Sequence, residues 1–354
     1  MEIDSVHFYV TDATNTSNWF INCLGFKLVD SYRDDDSLTI AIANKSIFLV
    51  ISSPINNHGV VAHYLASHAE GIVDIAFRVN QLQPIVNNAQ HSGIKILQPI
   101  QQLEKIKYAC FAGWNCLQHT VIESLHPSNC YRLPNSKLRR IRAINRFSNA
   151  TFTFTDIDHI VLNVGQGKLD QAVAYYQSLL NFQIQQTFQI NTKRSGLSSQ
   201  ALIDTVGKVQ FNINEPTTTN SQIQEFIDLN GGAGIQHLAL KSANLIQDVA
   251  KMRSLGVPFL PIPLAYYTHL KQRLKRDLIQ FSVRELQSII EQSILIDWHH
   301  RKSNSLLMQL FTQPILKQPT FFLEFIERRQ QAKGFGEGNF NALFAAVEQS
   351  SINN

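Results

Sequence analysis

His159, His237 and Glu324 are the residues of this 354-residue chain whose types and places could hold a reactive metal ion. His159 opens the apolar run HIVLNV, and His237 opens HLALK. Glu324 sits inside FFLEFIE, flanked by Phe321, Phe322, Leu323, Phe325 and Ile326. Burying a bare carboxylate there costs on the order of several kcal/mol unless it is paired or bound to a metal. Two neutral imidazoles and one carboxylate on one face form the facial triad of non-haem Fe(II) oxygenases. Three coordination positions then stay open for substrate and dioxygen. Each residue alone has a plainer reading. A lone histidine at a strand start is more often a hydrogen-bonded core residue, and a lone buried glutamate can be answered by an arginine.

Other motifs carry less. His58, His63 and His68 are spaced by five and share no helical face. His299 and His300 read as a solvated turn. HExxH, zinc-finger spacings, a P-loop and a GxSxG elbow are all missing from the sequence. GFGEGNF (334–340) imitates a dinucleotide fingerprint, but its glycines are spaced GxGxG and it stands at the end of the sequence. GGAG (231–234) reads as a helix stop.

The elements that must position the triad come in repeats. SVHFYVTDATNTSNWFINCLGFKLVD (5–30) resembles DIDHIVLNVGQGKLDQAVAYYQSLLNFQI (156–184) as strand, amphipathic helix, strand. The second helix should bury Leu169, Val173, Tyr176 and Leu180. Gly25 and Asn181 suit left-handed helix ends. A second pair matches residues 71–97 to residues 234–260, each as strand, helix, glycine turn, strand. The chain therefore holds four βα-type units in two halves. Residues 195–216 read as a hairpin turning at Gly207, and 221–234 as a short helix stopped by glycines. The stretch 266–298 is mostly helical and leads to ILID. Residues 306–314 and 319–329 read as adjacent strands, and 339–350 as a closing helix. The first half offers an internal control: His7 matches His159, Asp74 takes the place of His237, and Gln118 or Glu123 falls near the Glu324 region. That set is degenerate, so one metal site is expected, in the second half.

With 44% hydrophobic and 16% charged residues the chain is neither disordered nor strongly polar. Its length suggests two domains: 1–135, a basic linker over 136–152, and 153–354. No apolar run reaches the ~18 residues that span a bilayer, and MEIDSVHFYV does not read as a secretory signal. Four cysteines without CxxC spacing fit a reducing, cytoplasmic setting. A net charge of +4 and no aromatic stacking set beside the linker give no reason to expect nucleic acid.

The second half resembles the 4-hydroxyphenylpyruvate dioxygenase family of the vicinal-oxygen-chelate superfamily. The motifs are DHIVLNV, SGLSS, INEP, SQI, GAGIQHLAL, PLAYY, LLMQLFT, FFLEFIERR and GFGEGNF, in family order over roughly 156–348. The first half matches only in outline. The resemblance implies an α+β fold of two vicinal-oxygen-chelate-type domains, each of paired βαβββ modules in a curved, half-open barrel sheet. It implies one Fe(II) per chain on His159, His237 and Glu324. Ser199, Asn214, Gln222, Gln236 and Gln309 would act on the substrate, and Phe311, Phe322, Phe335, Asn339 and Phe340 would bind it. The reaction implied is 4-hydroxyphenylpyruvate plus O2 to homogentisate and CO2, in a homo-oligomer, with the last helix as a lid. The rival readings are a 4-hydroxymandelate synthase and a metal-free binding protein of the same superfamily. One departure stands out: Asn212 takes the place of a proline common in the family.

Overall fold

The computed structural model describes residues 1–103, 106–124, 151–191, 196–300 and 304–340. The expected linker, apart from its last two residues, and the expected helix beyond Phe340 lie outside the described residues.

The first half runs β1 (Glu2–Tyr9), α1 (Ala13–Leu24), β2 (Lys27–Arg33), β3 (Ser37–Asn44), β4 (Ile47–Pro54), α2 (Gly59–Leu65), β5 (Gly71–Val79), α3 (Gln83–His91), β6 (Ile96–Leu103), β7 (Ile106–Ala112) and β8 (Gln118–Ser124). The second runs β9 (Phe154–Asn163), α4 (Leu169–Leu180), β10 (Gln183–Asn191), β11 (Gly196–Ile203), β12 (Gln210–Pro216), α5 (Gln222–Asn230), β13 (Gly234–Ser242), α6 (Leu245–Ser254), α7 (Leu264–Asp277), α8 (Val283–Glu291), β14 (Leu295–Asp297), β15 (Leu306–Phe311) and β16 (Phe322–Arg329).

Local chemistry sets these limits. The Asp12 carboxylate accepts from the Asn15 N–H and caps α1, while Gly25 ends it at φ 68°. Asn181 ends α4 at φ 57°, as its residue type foretold. On α4 the expected face of Leu169, Val173, Tyr176 and Leu180 is buried. Each such side chain contributes about 1.5–3 kcal/mol by leaving water.

The strands form two eight-stranded sheets of identical topology, β2-β3-β4-β1-β5-β8-β7-β6 and β10-β11-β12-β9-β13-β16-β15-β14. Each is two βαβββ modules joined at a central antiparallel pair, β1 with β5 and β9 with β13. Both central pairs slip register at equivalent points, between His7 and Phe8 and between Ile235 and His237. A bulge of this kind bends a strand and re-aims its side chains.

One expected strand does not form. After α6 the chain passes through Pro258, Pro261 and Pro263, which lack the N–H a ladder needs. Only Phe259 makes a bridge, to Thr312. α7 and α8 follow, and β14 then takes the edge place that β6 holds in the first sheet.

The halves share one hydrophobic core. Phe8 meets Phe321 edge-on at 5.2 Å, and the buried His119 ring lies 3.0 Å from the Tyr176 hydroxyl. No helix among the described residues is long and apolar enough to cross a membrane.

Candidate metal centre

The three sequence-predicted ligands converge. They come from β9, β13 and β16, neighbours at the centre of the second sheet. Ala239 of β13 is the register partner of His159 on one side and of Glu324 on the other. The imidazole and the carboxylate therefore face each other across a single alanine, and His237 stands two residues along the same strand face. His159 Nε2 lies 3.1 Å from Glu324 Oε2, and His237 Nε2 lies 3.6 Å from it. One ligand atom from each residue falls within 4.8 Å of the others, the only such group of three among the described residues.

The donor set fits a metal ion. Glu324 Oε1 and His237 Nδ1 are buried and have no hydrogen-bond partner. Glu324 is 3% exposed, so its charge has no recourse to water. Burial works against a proton on His159, but Glu324 and Asp158 outweigh it and lift the imidazole to about 9. Burial also opposes the Glu324 carboxylate, and His159 overcomes this and holds its pKa below the usual value. His237 is pushed down by burial. Charge on the carboxylate and a lone pair on His237 are what a divalent ion requires.

The ligands are held from behind. His159 Nδ1 lies 3.0 Å from Asp158 Oδ1. Arg328 grips Asp158 with two nitrogens, each at 2.7 Å. A carboxylate behind a ligating histidine orients the ring and raises its basicity. His237 stacks on Phe322 at 4.7 Å, and His159 meets the edge of Phe335 at 5.2 Å.

In front of the ligands is a cavity of about 110 Å³. Of the residues expected around a substrate, Ser199, Asn214, Gln222, Gln236, Gln309, Phe311, Phe322, Phe335 and Phe340 line it. Asn339 does not. It is fully buried behind the wall, where its Oδ1 accepts from the Tyr266 hydroxyl at 2.8 Å. Gln309 has neither amide atom bonded, and Gly336 at φ 79° leaves it room: a Cβ there would clash with the Gln309 amide. Asn212 also lines the cavity, and its buried Oδ1 has no partner. Sequence reasoning missed Phe188, which packs edge-on against both Phe335 and Phe340. It also missed Asp158 and Arg328. The adjacency of Asp158 to His159 was the available signal for that pair.

The first sheet does not put His7, Gln118 or Glu123 at the places of the triad. Ser5 pairs with Ala76 as His159 pairs with Ala239, and His7 pairs with Asp74 as Val161 pairs with His237. Ser5, not His7, therefore holds the His159 place. Asp74 does hold the His237 place. Gln118, its partner, corresponds to Phe322, so Thr120 and neither Gln118 nor Glu123 stands where Glu324 does. A two-residue slip along a strand keeps the same face, so the alternation of side chains did not reveal it.

Residues 156–277 match the model of the glyoxalase/bleomycin resistance protein/dioxygenase superfamily. An uncharacterised protein of Synechocystis is 35% identical over 98% of this chain and 97% of its own length. The 4-hydroxyphenylpyruvate dioxygenase of Xenopus tropicalis is 32% identical, covering 96% of this chain and 89% of its own. Among solved structures, a mutant 4-hydroxymandelate synthase from Streptomyces coelicolor superposes with a TM-score of 0.85 at 23% identity, over 99% of this chain and 98% of that one. The last shows the fold alone. With a near-full-length relative above 30% identity and the two-sheet fold of the vicinal-oxygen-chelate proteins, the chain belongs to the 4-hydroxyphenylpyruvate dioxygenase family.

Proposed function

We propose that this dioxygenase converts 4-hydroxyphenylpyruvate and O2 to homogentisate and CO2, with Fe(II) held by His159, His237 and Glu324. The convergence of these three donors on one wall of an aromatic, amide-lined cavity carries the reading. Bound there, Fe(II) would supply chelation of an α-keto acid and activation of dioxygen.

The chain's own residues have the remaining tasks. Asp158 keeps the His159 ring turned toward the site and holds its Nδ1 proton. Phe311, Phe335 and Phe340 clamp the aromatic ring and keep water out. The unbonded amide of Gln309 and the side chains of Gln222, Gln236, Asn214 and Ser199 offer hydrogen bonds to the phenol end and to polar groups formed during reaction. Asn214 donates to Asn163 Oδ1 at 3.2 Å, which fixes its amide. Asn339 supports the wall from behind. The unit over 1–135 serves as a scaffold for that over 153–354.

The test is anaerobic loading with Fe(II), addition of 4-hydroxyphenylpyruvate, admission of air, and product identification by mass spectrometry. Homogentisate with one CO2 per turnover is expected. 4-Hydroxymandelate would make the chain a synthase, and absence of both metal uptake and oxygen consumption would leave a binding protein.

A further inference from the structure

We propose that the first half contains a second ligand site, which takes a small primary ammonium carrying an aromatic or apolar group. This inference does not depend on the reaction at the metal centre.

A cavity of about 380 Å³ lies on the first sheet where the cavity before His159, His237 and Glu324 lies on the second. Strand registers make the two equivalent residue by residue. Tyr32 pairs with Thr39 and Thr39 with Ser52, just as Phe188 pairs with Ser199 and Ser199 with Asn214. Tyr32, Thr39 and Ser52 line the first cavity, as Phe188, Ser199 and Asn214 line the second. The metal set has gone, however. Its three places hold Ser5, Asp74 and Thr120, two hydroxyls and one carboxylate.

The chemistry of the walls selects the ligand. No lysine or arginine lines this cavity, whereas Asp34, Asp36 and Asp74 do. Asp34 is engaged in its own turn, accepting from Ser37 N–H at 2.7 Å, and Asp36 accepts from Asn56. Asp74 is the least exposed of the three. Its Oδ1 accepts from the Thr120 N–H at 3.0 Å and its Oδ2 from the Thr120 hydroxyl. No cationic side chain pairs with it among the described residues. Burial pushes its pKa up, against the two hydrogen bonds from Thr120. The one basic ring nearby, His7, is pushed down to about 4 by burial and stays neutral. An ammonium is the partner this carboxylate lacks. Tyr9 and Tyr32 offer ring surface beside it, and Val50, Val61 and Val73 complete an apolar wall. A carboxylate ligand would meet only like charge, so the keto acid proposed for the second half is excluded here.

The test uses the full-length protein without added metal and isothermal titration calorimetry with tyramine. Saturable one-to-one binding is expected. 4-Hydroxyphenylacetate, with the same ring but a carboxylate, should not displace it. Asp74→Asn should weaken tyramine at least tenfold, equivalent to about 1.4 kcal/mol, and leave Fe(II)-dependent turnover unchanged. Thr39→Phe narrows the cavity without touching Asp74 and should also weaken binding; it decides the matter if Asp74→Asn fails to fold. Absence of saturable binding overturns the proposal. So does binding that survives both variants and is displaced by 4-hydroxyphenylpyruvate, which would put tyramine in the other cavity.

Discussion

Arg328 closes on Asp158 with Nε and one terminal nitrogen, each 2.7 Å from a different carboxylate oxygen. Its other terminal nitrogen donates to the carbonyls of Ala332 at 3.0 Å and Gly334 at 2.8 Å. One guanidinium thus ties the residue behind His159 to the segment that carries Phe335. Orientation of His159, a proposed metal ligand, and the cavity wall that carries Phe335 share a single support. Asp158→Asn removes charge behind the ligand and should weaken metal binding ten- to a hundredfold, read by competition with a chelator. Arg328→Ala leaves the buried Asp158 carboxylate with only the His159 ring as its partner and should cost about 3–5 kcal/mol by urea unfolding. Wild-type metal affinity in Asp158→Asn would show that the pair serves only the fold.

Glu324→Ala leaves two imidazoles and no anionic donor. Metal content after Fe(II) loading and desalting should fall to background, and oxygen uptake with it. A variant that retains stoichiometric iron would mean that a different donor set holds the ion.

Gly336→Ala places a methyl group at positive φ and against the Gln309 amide. The backbone alone costs about 1 kcal/mol or more. The larger effect should be on turnover, because Gln309 must move from the position it holds in the cavity. We expect kcat to drop further than metal affinity. Equal steady-state kinetics for variant and wild type would remove Gln309 from any part in the reaction.

His119 bears on stability against pH. Burial pushes its ring down to about 4, below the ordinary 6.5, so the folded state keeps it neutral. Between these values the unfolded chain binds more protons, and stability falls as pH drops through that window. By pH 5 the loss from this group is about 2 kcal/mol; below about 4 it adds nothing more. Comparing urea unfolding at pH 7.5 and pH 5, His119→Gln should lose less stability than the wild type by that amount. An unchanged difference would assign the acid sensitivity to other groups.

The triad was legible because its surroundings were incongruous. Glu324 among phenylalanines has no reading that leaves it alone, and His159 and His237 lie in the first strands of matching units, though inside β9 and β13 and not at their openings as the sequence suggested. Four βα units were legible from period and glycine placement, and Asn181 was recognised as a helix end by its residue type alone. What escaped notice depends on three-dimensional register. The place of His159 in the first half belongs to Ser5, a residue with no chemistry to attract attention, while His7 two positions away drew it. The strand expected after Gly256 failed because three prolines outweighed the apolar pattern. Arg328 was hidden among surface-type charges in FIERR, although its side chain is only 8% exposed.

The three donors are distributed from residue 159 to residue 324 and meet only across β9, β13 and β16. During synthesis, therefore, both imidazoles leave the ribosome long before the carboxylate does. A nascent polypeptide that has paired β9 with β13 still lacks the anionic donor and offers a divalent ion only a weak foothold. The proposed metal centre is complete only once β16 has emerged, so an unfinished translation product lacks the full donor set.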